Sequence, residues 1–426
     1  MKRLLICTPT HTLHGGVERI VESLAARLPE HGYDVTFALA RGTRFNNPDR
    51  FRAEYPNIKS VDIDGTSGTA TGRQRAVRDV IERADPDIVL MARLYDVYPA
   101  AAALKREGHR LRLAVMIQGF EAEYYVDARR WRDFVDLCNT SGRLTAIAAT
   151  QVSGIPAERV VEIAGGVAPP HRRRVAAPTL RLGYAGRIAR LQKRALDLAD
   201  ALDELRRRGV PFTCVVAGTG PQEAELRSRL PDVDFLGWQT TEQLYDHVYP
   251  ELDVLLHFAA WEGVPIAPRE AMAHGVVPVM ARFRGIAAED HFHDGVDSLT
   301  FAIGDVRAAA DHVEHLHRDR ALLERLSSAA AASQSGIRSE SGAAAAWAGA
   351  LDDALARPQR VGAMPPQPHA HGRLDRVLPA EAAETVRQWM GRRFAHGDPG
   401  SEWPHWSGED DAEVVAQLNA LADTVQ

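Results

Sequence analysis

The stretch Asp253-Val254-Leu255-Leu256-His257-Phe258-Ala259-Ala260-Trp261-Glu262-Gly263-Val264-Pro265-Ile266-Ala267-Pro268-Arg269-Glu270-Ala271-Met272-Ala273-His274-Gly275 reads as a buried strand, a polar loop and a helix. The apolar run Asp253–Phe258 is too short for a helix and carries β-formers, whereas Ile266 onward holds alanine and methionine and stops at Gly275. The same unit repeats on both sides of it. Towards the N-terminus, Arg181–Ala185, Thr213–Ala217 and Val233–Leu236 are expected strands, and towards the C-terminus Val276–Ala281 and Ser298–Ala302. Helical segments such as Ala195–Arg208 and Gln222–Arg229 separate them. The first part of the chain shows the same rhythm, with expected strands at Leu4–Thr10, Asp34–Arg41, Asp87–Leu94, Leu113–Gly119 and Leu144–Thr150. Strands alternating with helices build parallel sheets, so the fold class is α/β: two Rossmann-like doubly wound domains in tandem.

At 426 residues the chain exceeds one ordinary core. A proline-rich basic run, Ala168-Pro169-Pro170-His171-Arg172-Arg173-Arg174-Val175-Ala176-Ala177-Pro178, interrupts the period. The expected division is residues 1–168, a linker at 169–179, a second domain at 180–355, and a connector with a helical tail at 356–426. In that last part Met364–His371 reads as a mobile connector, and Ala380–Arg393 and Asp411–Thr424 read as helices. The tail could pack back on the first domain.

A hydrophobic content of 45% and a charged content of 25% exclude a disordered or fibrous chain. The net charge of −6, from 51 basic and 57 acidic residues, gives no general attraction to nucleic acid or an anionic membrane. Cys7, Cys138 and Cys214 sit in or beside apolar runs with no metal-ligand spacing, and are expected as buried thiols in a reducing compartment. No stretch approaches a transmembrane span or a signal sequence, which suggests a cytoplasmic protein with peripheral membrane contact left open. No motif encodes an oligomeric state.

Two segments carry chemistry. Glu262 lies on the loop and Glu270 on the helix after it; a carboxylate accepts from two vicinal hydroxyls at once. The N–H groups of Gly263, Val264, Pro265 and Ile266 stand at the helix start, where a phosphate or sugar hydroxyls find unpaired donors. The other segment is Leu182-Gly183-Tyr184-Ala185-Gly186-Arg187-Ile188-Ala189-Arg190-Leu191-Gln192-Lys193-Arg194, a strand leading into a basic loop and then a helix. Cations at a helix start work against its dipole, so the run favours a bound anion.

A Glu, seven residues and a second Glu, preceded by an aromatic and followed by Ala271-Met272-Ala273-His274-Gly275, resembles the signature of the retaining GT-B glycosyltransferases of family four, the glycogen-synthase-like group. The resemblance implies that Glu262 and the amides after it contact the transferred sugar and that Glu270 binds the nucleotide ribose. It also implies that Gly186, Arg187 and Lys193 form a diphosphate site, where fixed cations stabilise the charge of the leaving group. Val216-Ala217-Gly218-Thr219-Gly220-Pro221 is similar to the glycine turn of that pocket, and Phe235-Leu236-Gly237-Trp238 to the segment beside the nucleobase. In the first domain, Gly15 and Gly16 resemble the glycine loop near the donor phosphates. Gln118 stands where the family often has a histidine facing the sugar, and Val264-Pro265 where Phe-Gly is usual.

The resemblance implies transfer of a sugar from a nucleoside-diphosphate donor, a UDP- or GDP-sugar, to an acceptor hydroxyl with retention, the departing phosphate assisting deprotonation. No cofactor and no obligatory metal are expected, because Arg187 and Lys193 supply the charge. The pairs His291/His293 and His369/His371 lack the further ligands a zinc site needs, and His257 and His274 read as packed or capping residues. Glu121, Glu123 and Asp127 form either a solvated helix face or a contact suited to a cationic acceptor. The alternatives kept open are a nucleotide-sugar epimerase on the same fold and a non-catalytic sugar-nucleotide-binding protein.

Overall fold

Every ladder between strands is parallel among the residues that the computed structural model describes, which are 1–10, 16–42, 47–66, 70–365, 374, 377–390 and 411–424. Parallel strands need long crossovers, and helices fill them. The chain divides into two compact units. The first takes the described residues of Met1–Ser141, Thr145–Ile163 and Ala344–Ala420, and the second those of Gly142–Leu144, Ala164–Ala343 and Leu421–Gln426.

In the first unit the strands are β1 (Lys2–Thr8), β2 (Tyr33–Arg41), β3 (Ser60–Asp64), β4 (Ile88–Met91), β5 (Arg112–Ile117), β6 (Leu137–Thr140) and β7 (Val160–Glu162). They form a seven-stranded sheet in the order β3-β2-β1-β4-β5-β6-β7. The second unit holds β8 (Leu180–Ala185), β9 (Phe212–Ala217), β10 (Asp234–Gly237), β11 (Val254–His257), β12 (Val277–Ala281) and β13 (Leu299–Phe301), in the order β10-β9-β8-β11-β12-β13. Both sheets reverse their winding direction beside their first strand, between β1 and β4 and between β8 and β11. Such a switch point opens a crevice beyond the carboxyl ends of the strands.

The sheets are buried on both faces, which is why β4 and β12 show uninterrupted apolar runs. The helix Asp197–Arg207 covers sheet two with Leu198, Ala199, Leu202 and Leu205, places Asp197 and Asp200 at its positive end, and ends on Arg206 and Arg207. It packs beside the helix Val306–Arg318, where Arg208 reaches Glu314 at 3.0 Å.

One expected strand is a helix. Leu144–Thr150 belongs to the helix Arg143–Gln151, in which Leu144, Thr145, Ala148 and Ala149 are buried at helical spacing. A run this short and rich in alanine satisfies both periods, and the alanines decide for helix. Ser60–Asp64, Leu137–Thr140 and Val160–Glu162 are strands that the sequence pattern did not reveal.

The run 169–179 lies along the second unit, where Arg174 is buried and bonds to Asp253 at 2.9 Å and to the Gly275 carbonyl at 2.9 Å. The alanine-rich helix Glu340–Ala356 carries the chain back into the first unit at Ala344. Its Asp352 accepts from Tyr33 and pairs with Lys2, and Arg112 donates to the carbonyl of Ala354 at 2.9 Å. The helices Ala380–Trp389 and Ala412–Thr424 form the C-terminal end, and Arg129 pairs with Glu413 at 3.3 Å. His369 and His371 lie outside the described residues. No helix among the described residues is long and apolar enough to cross a membrane.

Candidate active site

At the carboxyl edge of sheet two the exits of β8 and β9 press backbone against backbone. Gly186 N–H donates to the Ala217 carbonyl at 3.0 Å, and Gly218 N–H to the Gly237 carbonyl at 2.7 Å. A Cβ on Gly218 would stand 2.0 Å from the Gly186 oxygen, and its φ of 141° lies where side chains are strained. Only glycine fits, which explains the glycine at this turn. Trp238, next to Gly237, is 40% exposed.

The loop after β8 presents the cations. Arg187 is exposed; Tyr184 Oη donates to its carbonyl at 2.9 Å, and its own Nη2 donates to Gln192 at 2.9 Å. Gln192 ties this loop to the one after β11, because its carbonyl accepts from Ala260 N–H at 2.8 Å and its amide donates to the Trp261 carbonyl at 3.3 Å. Across that tie Lys193 ion-pairs with Glu262, the two side chains being 23% and 10% exposed. The two strands flanking the switch point thus bring together a lysine and a glutamate distant in the chain.

The helix Ile266–Ala273 begins after Pro265, which holds φ −66° and ψ 127° as its cap. Pro265 carries no N–H, so it cannot donate as expected from its place in the loop, and Pro268 cannot either. Gly263, Val264, Ile266 and Ala267 can, and among the described residues none of their N–H groups has a partner. Glu270 is only 1% exposed and accepts from Tyr249 Oη at 2.8 Å. Tyr249 was not legible as a site residue, because it sits among aromatics that pack the core. His274 caps the end of this helix: its Nδ1 meets the Glu270 carbonyl at 2.8 Å and its ring packs on Tyr245 with centroids 4.7 Å apart.

In the first unit Gly16 opens the helix Gly16–Arg27, while Gly15 lies outside the described residues. Gln118 follows β5 and donates to Asn139 at 2.7 Å; Asn139, fully buried, donates on to the Ile163 carbonyl at 3.0 Å. Glu18, Arg93 and Asp96 join them at this edge of the sheet. Arg93, with φ 65°, reaches Glu18 at 3.5 Å, and Asp96 pairs with Arg73 at 3.1 Å. Asp127 is buried in the helix Ala122–Trp131, so it does not offer a carboxylate on a solvated face. Tyr95 Oη donates to Glu123 at 3.4 Å.

Among the described residues the one trio with metal-like spacing is Glu82, Glu107 and His109, all exposed, and Arg78 already pairs with both carboxylates at 2.9 and 2.6 Å. His293 is held between Asp297 and Asp290 at 2.9 Å each, and these carboxylates raise its pKa.

Burial pushes His257 and His291 down to about 3, with the charge of Lys193 assisting at the first and those of Arg269 and Arg338 at the second. Both are neutral when folded and, once unfolded, bind protons below the ordinary value of 6.5. The unfolded state therefore holds more protons in acid, and stability falls as pH drops from the ordinary value towards about 3, by roughly 1.4 kcal/mol per pH unit for each group. His291→Gln should flatten that slope by one proton in urea midpoints measured from about pH 6 to 4. An unaltered slope would show that His291 is not buried as a neutral ring.

The model of "Glycosyltransferase Family 4" matches residues 14–169, and that of "Glycosyl transferases group 1" matches residues 179–319. A comparison with curated proteins finds no match. Among solved structures, HepE of Anabaena in complex with UDP and glucose superposes with a TM-score of 0.68 at 17% identity, covering 83% of this chain and 100% of its own. Sucrose-phosphate synthase from Thermosynechococcus elongatus gives 0.69 at 15%, covering 84% and 100%. A TarM mutant of S. aureus, in complex with Fondaparinux, alpha-GlcNAc-glycerol and UDP, gives 0.68 at 9%, covering 84% and 100%. With one glycosyltransferase model on each half and two switch-point sheets of the same architecture as these structures, the chain is a glycosyltransferase of the GT-B fold.

Proposed function

We propose that the protein transfers a sugar from a UDP- or GDP-sugar to an acceptor hydroxyl with retention of anomeric configuration, in natural-product or cell-surface glycan synthesis. The observation that carries this reading is the grouping of exposed Arg187, the Lys193–Glu262 pair and the free N–H groups of Gly263, Val264, Ile266 and Ala267 along one sheet edge. Arg187 and Lys193 bind the diphosphate and stabilise the charge that gathers on it as the glycosidic bond breaks. Glu262 accepts from hydroxyls of the sugar, and Glu270, held by Tyr249, from the ribose. Gly186 and Gly218 let the pyrophosphate approach the backbone, and Trp238 lies beside the base.

Gln118, at the carboxyl edge of the first unit's sheet, hydrogen-bonds a substrate group held by that unit. The departing phosphate oxygen takes the acceptor proton, so no side chain serves as general base. The two cations do the work a metal would do, and no obligatory metal or cofactor is proposed. That HepE and the TarM mutant were solved with UDP favours a uridine nucleotide here as well.

The test is a calorimetric screen of UDP, GDP, ADP and dTDP, followed by incubation of the matching sugar nucleotide with and without acceptors. One nucleotide should bind selectively, and the donor should stay intact until an acceptor is added. Donor isomerised without acceptor would replace this reading with an epimerase, and no nucleotide binding at all would remove it.

A further inference from the structure

His257 closes β11, and its paired position opposite Met280 on β12 fixes its backbone. Its side chain is 12% exposed, and the Nε2 atom is buried with no hydrogen-bond partner among the described residues. That atom lies 3.8 Å from Oε1 of Glu262, the same oxygen that Lys193 holds. A buried polar atom without a partner costs stability, and a leucine of similar size would avoid the cost. The imidazole is neutral, so it can lend an N–H to a carboxylate without setting a second positive charge beside Lys193.

Lys193 has two claims on it, the Glu262 carboxylate and an incoming diphosphate, and its flexible stem can serve either. When it turns to the diphosphate, Oε1 of Glu262 loses its partner. We propose that His257 is a positioning residue for the donor sugar: through Nε2–H it takes over Oε1 of Glu262 when Lys193 turns to the diphosphate, leaving Oε2 aimed at the sugar hydroxyls. The carboxylate needs to move by only about 1 Å to bring the pair to hydrogen-bond distance. Glu262 thus keeps one orientation in both states of the lysine. The inference rests on the donor-site reading above.

The experiment titrates wild type, His257→Leu and His257→Gln with UDP, GDP, ADP and dTDP, and with UDP-glucose, GDP-mannose, ADP-glucose and dTDP-glucose. In His257→Leu the preferred bare nucleotide should bind within about twofold of wild type, while its sugar nucleotide loses about tenfold, the size of one hydrogen bond to a charged group. His257→Gln places an amide N–H near the position of Nε2 and should recover most of that loss. Its urea midpoint, and that of His257→Leu, should stay at or above the wild-type value. Equal losses for nucleotide and sugar nucleotide, or none for either, would overturn the proposal while leaving the donor site standing. A wild type that binds none of the eight compounds would overturn the donor reading and this inference with it.

Discussion

Arg187→Ala is expected to lower kcat by about 10²- to 10³-fold, or roughly 2.7–4 kcal/mol of transition-state stabilisation, while leaving the unfolding free energy within about 0.5 kcal/mol of wild type. The two effects separate because Arg187 is exposed and its side chain is tethered by a single hydrogen bond to Gln192, so the fold does not depend on it. Lys193→Ala should lower kcat by a similar factor, but with a further cost. Glu262 is 10% exposed, and losing its cation leaves a largely desolvated carboxylate where the sugar should bind. Donor KM should therefore rise more in Lys193→Ala than in Arg187→Ala. Initial rates across donor concentrations give both quantities. A rate within twofold of wild type in either variant would mean that the diphosphate lies elsewhere.

The architecture of the second unit was legible from sequence: all six of its strands lie where apolar runs ended on glycine or polar loops. The first unit was harder, for a physical reason. Leu137-Cys138-Asn139-Thr140 is a fully buried strand whose last two residues are polar, and Asn139 is satisfied by bonds that no hydropathy pattern shows. Ser60–Asp64 is an edge strand alternating polar and apolar residues over only five positions, below the length at which a period stands out.

At the site, residue types were readable and adjacency was not. Nothing in the spacing of Lys193 and Glu262 says that they touch; that follows from β8 lying beside β11. Two facts about the helix Ile266–Ala273 divide the same way. The missing donor at Pro265 is written in the residue itself, whereas the burial of Glu270 against Tyr249 depends on packing.

Within the basic run at 172–174 Arg172 and Arg173 are exposed and Arg174 is buried, and Arg174 belongs to the cluster with the largest expected effect on stability. Arg174 does not face solvent: with Arg181 it surrounds Asp253, whose side chain is 0% exposed. Asp253 accepts from Arg174 Nη1 at 2.9 Å, from Arg181 N–H at 3.0 Å and from Arg181 Nε and Nη2 at 3.1 Å each. Its own N–H donates to the Arg181 carbonyl and its carbonyl accepts from Val277, so the residue joins the amino ends of β8, β11 and β12.

Asp253→Ala leaves two guanidinium groups without their shared buried partner. Breaking such a pair costs about 3–5 kcal/mol, a fifth or more of a typical domain's stability of roughly 5–15 kcal/mol. Glu324 and Glu251 still reach Arg174 and Arg181, yet both are more than half exposed and recover little. The loss should appear as a lower urea midpoint for the second unit. Because Asp253 sits at the end of the sheet opposite Arg187 and Glu262, the folded fraction should keep its donor KM. Asp253→Leu combined with Arg174→Met should regain part of the stability, since it removes one buried charge along with its partner. A midpoint for Asp253→Ala matching wild type would show that Arg174 and Arg181 find water instead, and that their cluster with Asp253 does not hold the sheet.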